Sequence, residues 1–297
     1  ARPVQRGRHS CRSDVVPAGA VTDVPDAPNV PDLPDVVVRP LVMGILNVTP
    51  DSFSDGGLFA DPAAAITHGR QMFADGADIV DVGGESTRPG ATPVGTEAEL
   101  SRVLDVVEAL SEWGTVSIDT RSESVARSAV NAGASIINDV SASLEQVAAE
   151  LGVGWVAMHM SGDPATMQVA PVYDDVVGEV LEYLVGRAEA AVAQGVDRER
   201  LWIDPGIGFG KTSAHNLAII GALDEFVLSG WRVAVGASRK WIIGAITGAS
   251  VPHDRLEGSL AVAMWAMRCG VGLVRVHDVH DTVAAREILV AEIEEAA

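Results

Sequence analysis

The sequence predicts an α/β fold of one kind, a closed (β/α)8 TIM barrel, and three observations carry that expectation. From Val37 onward, eight short runs rich in β-branched residues each end in polar or small residues. Between these runs lie longer stretches in which apolar residues return at helical spacing. The strand runs are largely apolar instead of alternating, as strands covered on both faces of a parallel sheet must be, and eight units over roughly 260 residues is the size of such a barrel.

The first strand is read over 39–49 (RPLVMGILNVT) and leads, across a polar loop, to the helical DPAAAITHGRQMFADG. DIVDVGG (78–84) precedes TEAELSRVLDVVEALSEW, and TVSIDT (115–120) precedes SESVARSAVNAG. SIINDVS (135–141) and GWVAMHM (154–160) are followed by EQVAAEL and by the long DDVVGEVLEYLVGRAEAAVAQG. LWIDPG (201–206), RVAVGAS (232–238) and LVRVHD (273–278) complete the set, with AHNLAIIGALDEFVLSG, GSLAVAMWAMRCG and HDTVAAREILVAEIEEA as their helices. An open doubly wound sheet is the alternative. It would carry a Gly-rich phosphate loop after its first strand, where this chain has Asn47-Val48-Thr49.

Residues 1–36 differ in character, with repeated Pro, Asp and Gly and no sustained apolar period, and are read as a disordered arm ahead of one domain over 37–297. The 21 Lys and Arg against 41 Asp and Glu give a formal charge of −20, which repels phosphate backbones and anionic lipid headgroups. Nucleic acid and membrane surfaces are therefore excluded as expected partners. No apolar run reaches the roughly 20 residues that a membrane-spanning helix needs. The two cysteines, Cys11 and Cys269, sit in unrelated contexts and suggest no disulfide framework, so a cytoplasmic location is expected.

In a barrel of this kind the strand C-termini and the loops after them build the active site. Here those ends are polar: Asn47, Asp81 with Glu85, Asp119, Asn138-Asp139, His159, Asp204, Ser238-Arg239-Lys240, and Arg275 with His277. Any one alone reads as a cap for the following helix, but all eight ends being polar argues for a site. DPGIGFGKT (204–212) has the look of a phosphate loop, yet that motif requires Gly where Pro205 stands. HDVHD (277–281) hints at a metal, but paired histidines are lacking at the first strand end, where Asn47 stands.

MGILNVTPDSFSDGG (43–57), VDVGGESTRPGA (80–91), SIDT (117–120), NDVS (138–141), AMHMSGDPATMQ (157–168), DPGIGFGKT (204–212), GASRK (236–240) and RVHD (275–278) resemble, in order and spacing, the segments of the dihydropteroate synthase family. The resemblance runs from about residue 38 to the end. It implies a transferase that condenses p-aminobenzoate with 6-hydroxymethyl-7,8-dihydropterin diphosphate, giving 7,8-dihydropteroate for folate biosynthesis and pyrophosphate. By the same resemblance Asp119, Asn138, Asp204 and Lys240 hold the pterin, in a slot shaped by Met158, Phe209 and Gly236. Buried carboxylates accept N–H bonds from the aminopyrimidinone edge, and an amide reads both polarities. Arg88, Arg275 and His277 supply cations for the diphosphate, and Asn47 matches the ligand of an Mg²⁺ cofactor. Asp55, Lys240 and Arg275 are the residues expected to act in catalysis. Loops over 49–59 and 85–95 read as lids that bring Phe53, Thr87, Arg88 and Pro89 around the aniline, where sulfonamides would compete.

One position departs from the family pattern. Trp241 follows Ser-Arg-Lys, where a small or basic residue is usual, near the expected place of the p-aminobenzoate carboxylate. An indole there raises the alternative of an inactive or altered-substrate paralogue. Finally, GSLAVAMWAMRCGVGLV (258–274) is apolar all round, which predicts a homodimer through the outer face of the last helices.

Overall fold

The computed structural model describes residues 39–49, 61–86, 94–162 and 166–296. The arm over 1–36 and the loop residues Phe53, Asp55, Thr87, Arg88 and Pro89 lie outside them. Eight parallel strands close into a barrel in chain order: β1 (Leu41–Asn47), β2 (Ile79–Gly83), β3 (Thr115–Asp119), β4 (Ile136–Asp139), β5 (Gly154–Met158), β6 (Leu201–Asp204), β7 (Arg232–Val235) and β8 (Leu273–Val276). Closure comes from β8 pairing back on β1, with Leu41 opposite Leu273 and Gly44 opposite Val276. Every strand lies within the run expected for it.

The covering helices are α1 (Pro62–Ala74), α2 (Thr96–Ser111), α3 (Glu123–Asn131), α4 (Glu145–Leu151), α5 (Val176–Ala193), α6 (Ser213–Gly221), α7 (Leu223–Leu228), α8 (Trp241–Thr247), α9 (Leu256–Arg268) and α10 (Val279–Ala296). Their starts follow local chemistry. Asp61 accepts the Ala63 N–H ahead of Pro62, Asp175 accepts that of Gly178, and Thr212 with His215 forms a reciprocal capping box. Two stretches are more divided than their apolar period suggests. The helix after β6 breaks behind Gly221, the weakest helix former in that stretch. After β7, α8 forms separately and stops at Gly248, whose φ of 80° suits a left-handed helix end. None of the described helices is long and apolar enough to cross a membrane.

Alternation along the strands sorts the barrel into layers. Val42, Leu46, Val80, Val82, Ile118 and Trp155 face the helices and join the large outer core. Met43, Ile79, Ile136, Val156, Trp202, Ala234 and Leu273 meet inside the barrel as an apolar plug. Two residues further along these strands stand Asp81, Asn138, Met158, Asp204, Gly236 and Arg275, so the plug is followed by a largely polar layer on the same inward side. At the opposite end the fully buried Arg286 bonds to Asp78 and to the carbonyl of Pro40, tying α10 to the start of the barrel.

Asp139 was one of the polar strand ends, and its side chain does structural work. It lies on the outward side, fully buried, and accepts from the backbone N–H groups of Ser141, Ser143 and Leu144 at 2.9, 2.7 and 2.7 Å and from Trp155 Nε1 at 3.2 Å. Removing it strands several buried donors. Asp139→Ala is expected to lower stability by about 3–5 kcal/mol, read from the urea denaturation midpoint, and a shift below about 1 kcal/mol would show that these donors find other partners.

Candidate active site

The polar layer is organised by one cation. Arg275 donates from Nε to Asp81 Oδ2 at 2.6 Å and from Nη2 to Asp119 Oδ2 at 2.7 Å, bridging β8 to β2 and β3. Asp81 Oδ2 also accepts from Asn138 Nδ2 at 3.0 Å. A carboxylate accepts only, so this bond fixes the Asn138 amide with its NH2 group toward Asp81. Burial opposes charge on Arg275, but Asp81 and Asp119 outweigh it and raise the guanidinium pKa. Burial lifts the Asp119 carboxyl to about 7 against the pull of Arg275.

Three polar atoms in this layer are buried without a hydrogen-bond partner among the described residues: Asp81 Oδ1, Asp119 Oδ1 and Ser117 Oγ. Native interiors seldom leave such groups unpaired, so a cluster of them points to a ligand that completes the bonding.

Asp204 closes β6, and its Oδ1 accepts the Gly206 N–H at 2.7 Å. Burial raises its pKa, with Lys240 pulling the other way. Lys240 Nζ donates to the Ile207 carbonyl at 2.5 Å and stands 4.4 Å from the centre of the Phe209 ring. Burial pushes this amine down to about 8, with Asp204 opposing. Met158 pairs in register with Asp204, and Gly236 leaves room beside the stem of Arg275. The structure thus brings Asp119, Asn138, Asp204, Lys240, Arg275, Met158, Phe209 and Gly236 to one end of the barrel.

The GASRK segment divides its labour. Ser238 Oγ accepts the His277 backbone N–H at 3.1 Å and lies 3.0 Å from His277 Nδ1, which sets that ring beside β8. Arg239 adopts a left-handed φ of 55°; its guanidinium pairs with Asp278, its N–H with Ser259 and its carbonyl with Arg255. These bonds turn the chain so that Lys240 enters the site. Trp241 then opens α8, a short helix of its own. Its half-buried indole stands against Gly208 in the loop after β6, and its buried Nε1 has no partner among the described residues.

Asn47 ends β1 opposite Gly83, and its Oδ1 shares the space above Gly83 with Asp119 Oδ2. No group of three or more His, Cys, Asp or Glu side chains among the described residues forms a metal cluster. A single amide oxygen beside a carboxylate suits a hard cation whose other ligands are phosphate oxygens and water.

Two fully buried charged residues had no role in the sequence reading. Asp81 was only a strand end, although a carboxylate in the middle of a buried parallel strand demands a buried partner. Lys211 belonged to a rejected phosphate motif, yet it is fully buried.

Comparisons with known proteins show the family. Residues 43–277 match the family model described as pterin binding enzyme. Dihydropteroate synthase of Escherichia coli K12 is 45% identical over 263 residues, covering 86% of this chain and 92% of its own. A crystal structure of the Yersinia pestis dihydropteroate synthase in a sulfonamide drug complex superposes with a TM-score of 0.82 at 41% identity, over 87% of this chain and 95% of that one. The Xanthomonas albilineans dihydropteroate synthase in complex with 7,8-dihydropteroate has a TM-score of 0.76 at 43% identity, over 86% and 94%. With its polar layer, its orphaned carboxylate oxygens and these relatives taken together, the chain belongs to the dihydropteroate synthase family of pterin-binding enzymes.

Proposed function

We infer that the protein joins p-aminobenzoate to 6-hydroxymethyl-7,8-dihydropterin diphosphate, forming 7,8-dihydropteroate and releasing pyrophosphate. One observation carries the site assignment: buried carboxylate oxygens of Asp81 and Asp119 without partners, around a cation and a fixed amide. A flat heterocycle with several N–H donors along one edge satisfies such acceptors, and Asn138 and Asp204 extend the same frame. Lys240 and the ring of Phe209 offer a charged and an apolar surface to the pterin faces and edge.

In the reaction, the aniline nitrogen forms a bond to the exocyclic methylene of the pterin, the C–O bond to the diphosphate breaks, and the amine loses a proton. The diphosphate leaves with the bonding electrons. Arg275, Lys240 and His277 would supply the donors that meet that developing charge, within a chain whose net charge is −20. Asn47 would hold Mg²⁺ together with diphosphate oxygens, and the ion would neutralise the leaving group. Asp55, Thr87 and Arg88 take their proposed parts in the loops outside the described residues. Sulfonamides, as aniline analogues, compete with p-aminobenzoate in this reading.

We place a homodimer contact on the outer side of α9 and α10, where Trp265 and Ile288 are 44% and 73% exposed. The paralogue alternative suggested by Trp241 gains no support from the relatives, which are dihydropteroate synthases.

The purified protein is expected to release pyrophosphate only when both substrates are present, followed in a coupled assay; a protein that binds the pterin without releasing pyrophosphate would overturn the reading. A pH limb follows from Lys240. Its amine loses the charge as pH rises through about 8, so kcat/KM for the pterin diphosphate falls about tenfold per pH unit beyond that point. In Lys240→Arg the guanidinium keeps its charge and the limb disappears, whatever activity remains. A limb of the same position in both proteins would assign it to another group.

A further inference from the structure

The lysine of DPGIGFGKT reaches no phosphate, because its side chain is fully buried between the loops after β5 and β6. Its Nζ lies 3.1 Å from the carbonyls of Gly206 and Phe209, 3.0 Å from His159 Nδ1 and 3.4 Å from the His159 carbonyl. The His159 imidazole is neutral: burial, reinforced by the charge of Lys211, pushes its pKa down to about 3. With its proton on Nε2 the ring accepts through Nδ1, and the three protons of the charged form of Lys211 find three acceptors at 3.0–3.1 Å. Burial pushes the Lys211 amine down to about 7, with the Asp204 carboxylate opposing.

The glycine spacing of the motif builds this cage. Gly206 and Gly210 have φ of 67° and 61°, and a Cβ on either would run into a carbonyl of the neighbouring loop, that of His159 or of Ser161. These turns aim the Gly206 and Phe209 carbonyls at Lys211 while leaving the rest of the loop to the site. Within it, the Gly206 N–H goes to Asp204, the Ile207 carbonyl takes Lys240, and the Phe209 ring lies beside that amine. Every substrate-facing feature of the loop is thus within two residues of a carbonyl that Lys211 grips.

We propose that Lys211 is a positioning residue whose buried amino group, clamped by His159, Gly206 and Phe209, holds the β6–α6 loop in the conformation that presents Asp204, Phe209 and Lys240 to the pterin. The proposal rests on the reading of those three residues as pterin contacts. Tyr173, which donates to the Gly210 carbonyl at 3.0 Å, and Gln168, which donates to that of Gly208 at 2.6 Å, brace the loop from outside but carry no charge into it.

The test is steady-state kinetics on Lys211→Met, Lys211→Ala, His159→Phe and Asp204→Asn, each checked for folding by circular dichroism. Lys211→Met is expected to lose about a hundredfold in kcat/KM for the pterin diphosphate, the scale of a loss of reactive positioning, with KM for p-aminobenzoate little changed. His159→Phe, which keeps the edge-to-face ring contact with Tyr183 and removes one acceptor, shows a smaller loss of the same kind. Ammonium chloride restores part of the Lys211→Ala activity by filling the cage, and sodium chloride does not. Folded Lys211 variants with wild-type kcat/KM, or equal losses toward both substrates, would overturn the proposal. Should no Lys211 variant fold, His159→Phe decides: a pterin-selective loss supports the clamp and wild-type kinetics overturn it. Wild-type kinetics in Asp204→Asn would instead overturn the underlying assignment of the pterin frame.

Discussion

Arg275 crosses the mouth of the barrel and divides its guanidinium between Asp81 and Asp119 at 2.6 and 2.7 Å. A largely buried cation between two buried carboxylates is costly to desolvate, and breaking a buried pair of this kind typically costs about 3–5 kcal/mol because the remaining charge is stranded. That cost makes the arrangement rigid. Asp81, held by Arg275, in turn holds the amide of Asn138, so three strands present their polar groups in one orientation. The apolar plug of Met43, Ile79, Ile136, Val156, Trp202, Ala234 and Leu273 lies beneath. With water excluded from below, the unpaired oxygens of Asp81 and Asp119 have only the open end of the barrel from which to draw a partner.

The loops serve this layer by fixing cations beside it. Ser238 sets His277, and the bonds of Arg239 to Asp278, Ser259 and Arg255 turn Lys240 inward toward Asp204. A strongly acidic chain binds an anionic substrate because a few cations gather in one cleft, where a low dielectric strengthens each contact. The net charge of −20 excludes polyanionic partners over the surface at large and says nothing against a diphosphate at this one place.

The barrel was legible because period and polarity agree at every unit: each strand run is β-branched, and each ends in a residue that turns the chain. The polar ends marked the site for the same reason, since Asp119, Asn138, Asp204 and Arg275 occupy positions where apolar residues would otherwise extend the plug. Direction was the information missing. Asp139 follows Asn138 directly, yet alternation sends it outward to hold a turn and Trp155. Asp81 looked like another cap until register placed it beside Arg275, 194 residues away. Lys211 was hidden by its motif, whose glycines suggest a phosphate loop of N–H groups but whose turns direct the Gly206 and Phe209 carbonyls at the lysine. The division of the helix region after β7 depends on Gly248 adopting a left-handed turn, which apolar spacing does not reveal.

The central claim is that Asp81 and Arg275 act as one unit in holding the pterin frame, and a double-mutant cycle tests it most directly. The measurement is kcat/KM for the pterin diphosphate in wild type, Asp81→Asn, Arg275→Met and the double variant. The account predicts strong coupling, with the double variant no worse than the poorer single one and an interaction term of about 1–3 kcal/mol. Losses that simply add would contradict it, because the two side chains would then contribute independently.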